Sequence, residues 1–156
     1  MARFISKRFD RSLKTPFRNS TIGDNGSTRK LNNQEIGALG EKLAATWLTQ
    51  RGLKVLWRNF KAEHGGEVDL VCRDNDTLVF VEVKARTSEF FGQPAAAVDS
   101  EKERQITRGA LAWLRGLHQA DLVYRFDILE IILVEGKPPK PNLISNAFQL
   151  PDDYYL

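Results

Sequence analysis

The sequence predicts an α/β domain of order α-β-β-β-α-β, in which a four-stranded mixed sheet is flanked by helices. Three observations predict it. Residues 32–52 and 100–118 repeat apolar positions at helical spacing behind capping signals. Residues 53–60, 67–72, 78–84 and 123–134 are alternating or continuously apolar and rich in β-branched side chains, the pattern of strands. Across 156 residues the chain is 42% hydrophobic and 28% charged, which suits one globular core.

Residues 1–31 read as a basic, unstructured arm, and 32–156 as the domain. The first 30 residues hold Arg3, Lys7, Arg8, Arg11, Lys14, Arg18, Arg29 and Lys30 against Asp10 and Asp24, a net of +6. The whole chain carries +3, so the remainder is −3. The segment is rich in Ser, Thr, Asn and Gly, and its few apolar residues keep no period. Nucleic acid is the natural acidic partner of such an arm. A plain solubility tail is the alternative; a transit peptide is disfavoured, since no long amphipathic stretch appears.

Asn32 with Glu35 forms a capping-box signal for the first helix. Ile36, Leu39, Leu43 and Trp47 follow on one face, and Gly52 closes it. Gly37, Gly40 and Ala44 widen the buried arc and permit close approach of another element, with Glu41 at the rim. Leu53 to Phe60 is the first strand, and His64-Gly65-Gly66 turns into the second. His64 reads as a loop residue, because no second histidine lies near it.

The next two strands carry the chemistry. Asp74-Asn75-Asp76-Thr77 are turn formers between Glu67–Cys72 and Leu78–Lys84. With Asn75-Asp76 as a two-residue loop, Asp74 pairs with Thr77; counting back, Asp69 faces Glu82 and Glu67 faces Lys84. Opposed residues share a face with Cβ atoms roughly 5 Å apart. Two carboxylates that close repel unless a cation or a shared proton lies between them. A three-residue loop would instead set Asp69 against Val81. The face bearing Asp69 and Glu82 also carries Val71, Leu78 and Phe80; the other carries Val68, Leu70, Cys72, Val79, Val81 and Val83. Charges on a hairpin that is apolar on both faces describe a site rather than a solvated surface.

Phe91-Gly92 and Pro94 belong to a loop, after which Ser100 and Glu103 repeat the capping signal. The second helix buries Ile106, Ala110, Trp113, Leu114 and Leu117. Arg104, Arg108 and Arg115 form a basic stripe, and Lys102 lies at the apolar rim; a solvated stripe and a phosphate-binding one read alike here. Val123 to Val134 is the fourth strand, and the proline-rich run 138–141 is expected to end regular structure.

Several classes are excluded. One cysteine permits neither an internal disulfide nor a cysteine-rich zinc site, and Cys72 reads as a small core residue. No stretch approaches the ~20 apolar residues of a membrane span, and the opening residues lack an apolar h-region, so a cytoplasmic location is expected.

Asp69 followed by Glu82-Val83-Lys84 on the next strand resembles the PD-(D/E)XK signature of restriction-endonuclease-like nucleases, whose core has the same element order. More closely, Gly66-Glu67-Val68-Asp69-Leu70-Val71, Leu78 to Arg86, Phe91-Gly92, Ala97-Val98-Asp99 with Lys102, Arg125-Phe126-Asp127 and Asn146-Ala147-Phe148 are similar to the YraN-like family of bacterial proteins. That largely uncharacterised family is described as endonuclease-like and related to archaeal Holliday-junction resolvases. The likeness covers about residues 33–149. Val68 stands where the superfamily name has proline.

The resemblance implies a Mg²⁺- or Mn²⁺-dependent endonuclease acting on structured DNA, with catalytic Asp69, Glu82 and Lys84. It implies metal ligands Asp69, Glu82 and the Val83 carbonyl, joined by Glu41 from the helix. Lys84 would orient the attacking water or stabilise developing charge. Glu67 is expected to hold Lys84 as a cross-strand ion pair, and Lys102, Arg104, Arg108 and Arg115 are the nucleic-acid contacts. The competing reading on the same fold is a non-catalytic nucleic-acid-binding module with a vestigial metal site. A homodimer is compatible with either reading.

Overall fold

The computed structural model describes residues 11–24, 26–87, 100–117 and 122–150. Phe91-Gly92, Pro94, Ala97-Val98-Asp99 and His118 lie outside them, as does the opening decapeptide with Arg3, Lys7 and Arg8.

Residues 11–31 depart furthest from the sequence reading. A short 3-10 turn (Arg11–Leu13) is followed by a two-stranded hairpin, β1 (Thr21–Ile22) and β2 (Thr28–Arg29). Phe17 is only 6% exposed and packs in the main core, with Leu13 and Leu31 against the same cluster. Its N–H donates to the Lys137 carbonyl at 2.8 Å, and its carbonyl accepts from the Gly136 N–H at 2.9 Å. The described part of this segment is therefore part of the packed domain. One aromatic residue with a backbone clamp outweighs the polar composition around it, and composition does not register that.

The capping box at Asn32 forms as read. Asn32 Oδ1 accepts from the Glu35 N–H and Glu35 Oε2 accepts from the Asn32 N–H, both at 2.9 Å. The helix α1 runs Asn33–Gln50, and Gly52 leaves it at φ 99°, a left-handed position that favours glycine. Arg29 pairs with Glu35 at 2.6 Å, which, with the Asn32 N–H, holds the Glu35 carboxyl down at about 2.

Five strands lie side by side: β3 (Lys54–Lys61), β4 (Glu67–Asp74), β5 (Thr77–Arg86), β6 (Tyr124–Ile132) and β7 (Lys140–Phe148). All neighbours are antiparallel except β5 and β6, which are parallel and lie either side of α2 (Ser100–Leu117) in the chain. The core order α-β-β-β-α-β is the one the sequence predicts, with a fifth strand added. The proline-rich run does not end regular structure: Pro141 sits second in β7, opposite Ile131. An edge strand tolerates a residue that cannot donate to a ladder.

Each sheet face is covered by one helix. Leu43, Ala44, Ala45 and Leu48 of α1 bury against Leu70, Cys72, Val79, Val81, Leu129 and Ile131. Ile106, Ala110 and Leu114 of α2 bury against Val71, Leu78, Phe80, Phe126 and Ile128. Burial pushes the Cys72 thiol up to about 12, consistent with an inert core residue. At the turn end of the sheet, Arg125 Nε donates to Asp127 at 3.1 Å and its terminal nitrogen to Asp74 at 3.1 Å. Asp127, fully buried, also accepts from the Asn146 N–H at 2.9 Å. The Arg125-Phe126-Asp127 and Asn146-Ala147-Phe148 segments thus meet in one structural network, where Phe126 also stacks on Phe148 with ring centres 4.6 Å apart.

Candidate active site

The β4–β5 hairpin has the two-residue loop, with Asp74 paired to Thr77 and Leu70 to Val81. The ladder stops there, one residue short of the acids. Asp69 continues it by other means: its Oδ2 accepts from the Val83 N–H at 2.7 Å, so a side chain takes the position of a backbone acceptor. On the outer side of β4, Arg58 pairs with Leu70 and Phe60 with Val68, which sets Asn59 opposite Asp69. Asn59 has φ 51°, a left-handed conformation inside a strand. There the alternation breaks. Val68 packs with Val71 and Phe80 against α2, not on the far face with Leu70 as strict alternation predicts. Asn59 is the residue beside the acid pair that the sequence pattern does not single out. A signal for it exists, since asparagine is poor in strands and tolerant of φ > 0.

Asp69 is 8% exposed and Glu82 6%. Lys102, from the first turns of α2, places its Nζ 3.3 Å from Glu82 Oε1. Glu82 Oε2 is buried with no hydrogen-bond partner among the described residues. Burial first, then the charge of Asp69, raises the Glu82 carboxyl to about 7, with Lys102 opposing the shift. Burial works against the charge on Lys102, but Glu82 and Asp69 outweigh it and hold that ammonium above its ordinary value. When all three are ionised the group carries a net −1 in a water-poor setting. Such a group takes up either a proton or a cation.

The described residues fit a divalent cation in part. The orphaned Glu82 Oε2 and the second oxygen of Asp69 are hard donors of the kind Mg²⁺ and Mn²⁺ prefer. Val83, expected to offer its carbonyl, is joined to Asp69 through its N–H. Lys84 is half-buried on the same face of β5 as Glu82. Among the described residues no three His, Cys, Asp or Glu side chains converge, so Glu41 does not complete an acid triad. The reason is architectural: α1 packs against the Val81 and Ala85 face of β5, and Glu82 is on the other.

Two further expectations change. Glu67 pairs with Lys61 on β3 at 3.6 Å, and no ion pair joins it to Lys84 among the described residues. The bend at Asn59 and Asp69 uncouples the end of β4 from β5, so the register that would oppose Glu67 to Lys84 does not extend that far. Lys102, expected as a phosphate contact, lies against Glu82, while exposed Arg104 pairs with Glu101 at 3.3 Å. Arg108 and Arg115 are exposed on α2.

Fold and site together define an α/β protein with a mixed five-stranded sheet and a buried, cation-facing acid pair where the central hairpin ladder ends. Residues 40–131 match the model of a family described as uncharacterised protein family UPF0102. The chain is 48% identical over 120 residues to a UPF0102 protein of Geobacter metallireducens, covering 77% of this chain and 97% of the relative. It is 44% identical over 118 residues to one of Geobacter sulfurreducens, covering 76% and 91%. A relative from Caldanaerobacter subterraneus is 41% identical over 122 residues, covering 77% and 99%. The chain belongs to the UPF0102 family, the YraN family. Among the described residues no helix is long and apolar enough to cross a membrane.

Proposed function

We propose that the protein is a divalent-metal-dependent endonuclease that hydrolyses phosphodiester bonds in structured, branched DNA. The observation that carries this reading is the buried Asp69–Glu82 pair with an orphaned carboxylate oxygen, Lys102 at 3.3 Å from Glu82, and Lys84 two residues further along the same face of β5. Asp69, Glu82 and the Val83 carbonyl would hold the ion. A bound Mg²⁺ or Mn²⁺ supplies charge neutralisation at the phosphate and a nucleophile at neutral pH. Asp69 is oriented by the Val83 N–H, which keeps one oxygen fixed and the other available. Lys84 orients the attacking water or meets charge developing on the phosphate. Lys102 neutralises Glu82 and would face the substrate phosphate if a cation held that carboxylate.

A second reading, a nucleic-acid-binding module without catalysis, is favoured by one feature. Lys102 already supplies a cation to Glu82, and no third acid joins the pair among the described residues. Incubation of wild type and Asp69→Ala with branched and linear DNA, and with RNA, in Mg²⁺ or Mn²⁺ separates the two. Cleavage of branched DNA that disappears in Asp69→Ala supports the nuclease. Binding without cleavage by either protein supports the module.

A further inference from the structure

The turn between β3 and β4 and the later half of α2 enclose a groove of about 400 Å³. It is lined by Glu63, His64 and Gly65 from the turn and by Arg108, Leu111 and Arg115 from the helix, with two alanines. Neither Arg108 nor Arg115 forms an ion pair among the described residues, whereas Arg29, Arg86, Arg104 and Arg125 each do. With His64 neutral, the two guanidiniums against Glu63 leave the groove at net +1. It therefore selects an anion.

The groove is held in shape by two glycines. Gly65 and Gly66 have φ 84° and 110°, and the turn closes through the Ala62 N–H to the Gly66 carbonyl at 3.0 Å. A Cβ on Gly66 would clash with the Gly109 nitrogen and the Arg108 backbone, so the turn rests directly on the backbone of α2. Gly109 in turn abuts Glu67 and Val68, immediately before Asp69. The turn, the helix and the acid strand are one contiguous unit. Lys102 sits at Glu82, and Arg108 follows about 9 Å along the helix axis. Arg115 lies about 10.5 Å further on. Arg108 and Arg115, seven residues apart, share one face of the helix.

We infer that this groove, built from Arg108, Arg115 and His64, seats backbone phosphates of the nucleic acid whose neighbouring phosphodiester reaches Asp69 and Glu82. The inference rests on the nucleic-acid reading of the acid pair and adds a binding track, which excludes Arg104. Planar guanidiniums suit bidentate phosphate contact, and the imidazole adds a donor.

The test is fluorescence anisotropy of the full chain with labelled branched DNA, in EDTA, across a salt series. Arg108→Gln with Arg115→Gln should weaken binding at least about tenfold and reduce the log–log salt slope by about two. Arg104→Gln should change affinity by roughly threefold or less, as expected of an exposed paired charge. Glu63→Gln should tighten binding, because it removes the one acid in the groove. A double variant that binds like wild type, or like Arg104→Gln, overturns the inference, and so does a Glu63→Gln that binds more weakly. Loss of binding to anionic phospholipid vesicles but not to DNA would assign the groove to lipid headgroups and overturn it as well. Because no step requires cleavage, groove-dependent binding by a wild type that does not cut DNA in Mg²⁺ sinks the nuclease reading and leaves the groove standing.

Discussion

Asn59 and Asp69 face each other across β3 and β4, and the left-handed backbone of the first accompanies the inward turn of the second. The carboxylate reaches the Val83 N–H at the position where ladder pairing ends. Asn59→Val should therefore cost about 1–3 kcal/mol, because a β-branched side chain resists φ > 0. Asn59→Gly should be nearly neutral. Chemical denaturation checks the pair, and equal losses for both would show that the backbone conformation is not what Asn59 supplies.

The acid pair makes stability depend on pH in a definite direction. Glu82 is raised from 4.5 to about 7 in the fold, so the folded state binds more protons than the unfolded chain across that interval. Stability attributable to this group is full below about pH 4.5 and is lost as pH rises through about 7. The loss is on the order of 3 kcal/mol. Glu82→Gln removes it: thermal melts in EDTA should show the variant higher by roughly 5 °C at pH 8 and close to wild type at pH 4.5. Parallel pH profiles for the two proteins would refute the assignment.

On the proposed function, Lys102 and a divalent ion compete for the same carboxylate. Lys102→Met should tighten Mn²⁺ binding by about tenfold at pH 8, the effect of removing one facing positive charge. Glu82→Ala should abolish it. Isothermal titration calorimetry reads both, and Mn²⁺ binding that is the same in all three proteins would mean that the pair is not the metal site.

Phe17 places residues 11–31 within the stability of the domain. Phe17→Ala should cost about 3 kcal/mol, as for a large aromatic in a packed core. Removing residues 1–30 should lower the melting temperature sharply. Circular dichroism melts of the three proteins decide it; a 1–30 deletion as stable as full length would show that the Phe17 contacts contribute little.

Periodicity makes the two helices and the strands β3 to β6 legible, because helical spacing and apolar β-branched runs mark the residues that are buried. The Asn75-Asp76 loop fixes the hairpin register, and that register alone brings Asp69 beside Glu82. What escapes the sequence is of another physical kind. Strict alternation hides the break beside Asp69, where Val68 joins Val71 on the α2 side although the apolar pattern of β4 is unaltered. The strand β7 is hidden by Pro141, which reads as a breaker unless the strand is known to be an edge. The basic composition around Phe17 masks a single aromatic anchor. Lys102 reads as a phosphate contact because only the packing of α2 on β5 reveals the acid it meets.

The clamp between Phe17 and residues 136–137 has a consequence for synthesis. Phe17 leaves the ribosome early, yet the backbone groups that fix it are made some 120 residues later. At typical elongation rates that interval is on the order of 10 seconds. Throughout it the amino-terminal aromatic has no native partner for its N–H, and the core cluster it completes lacks β6. The parallel pairing of β5 with β6 also waits, over the 46 residues that separate Leu78 from Tyr124, since the intervening helix is translated first. Docking of Phe17 is thus a late, sequence-distant event that reports completion of the sheet, and a fluorescent or protease-sensitive probe near that residue would mark the moment at which the nascent domain becomes whole.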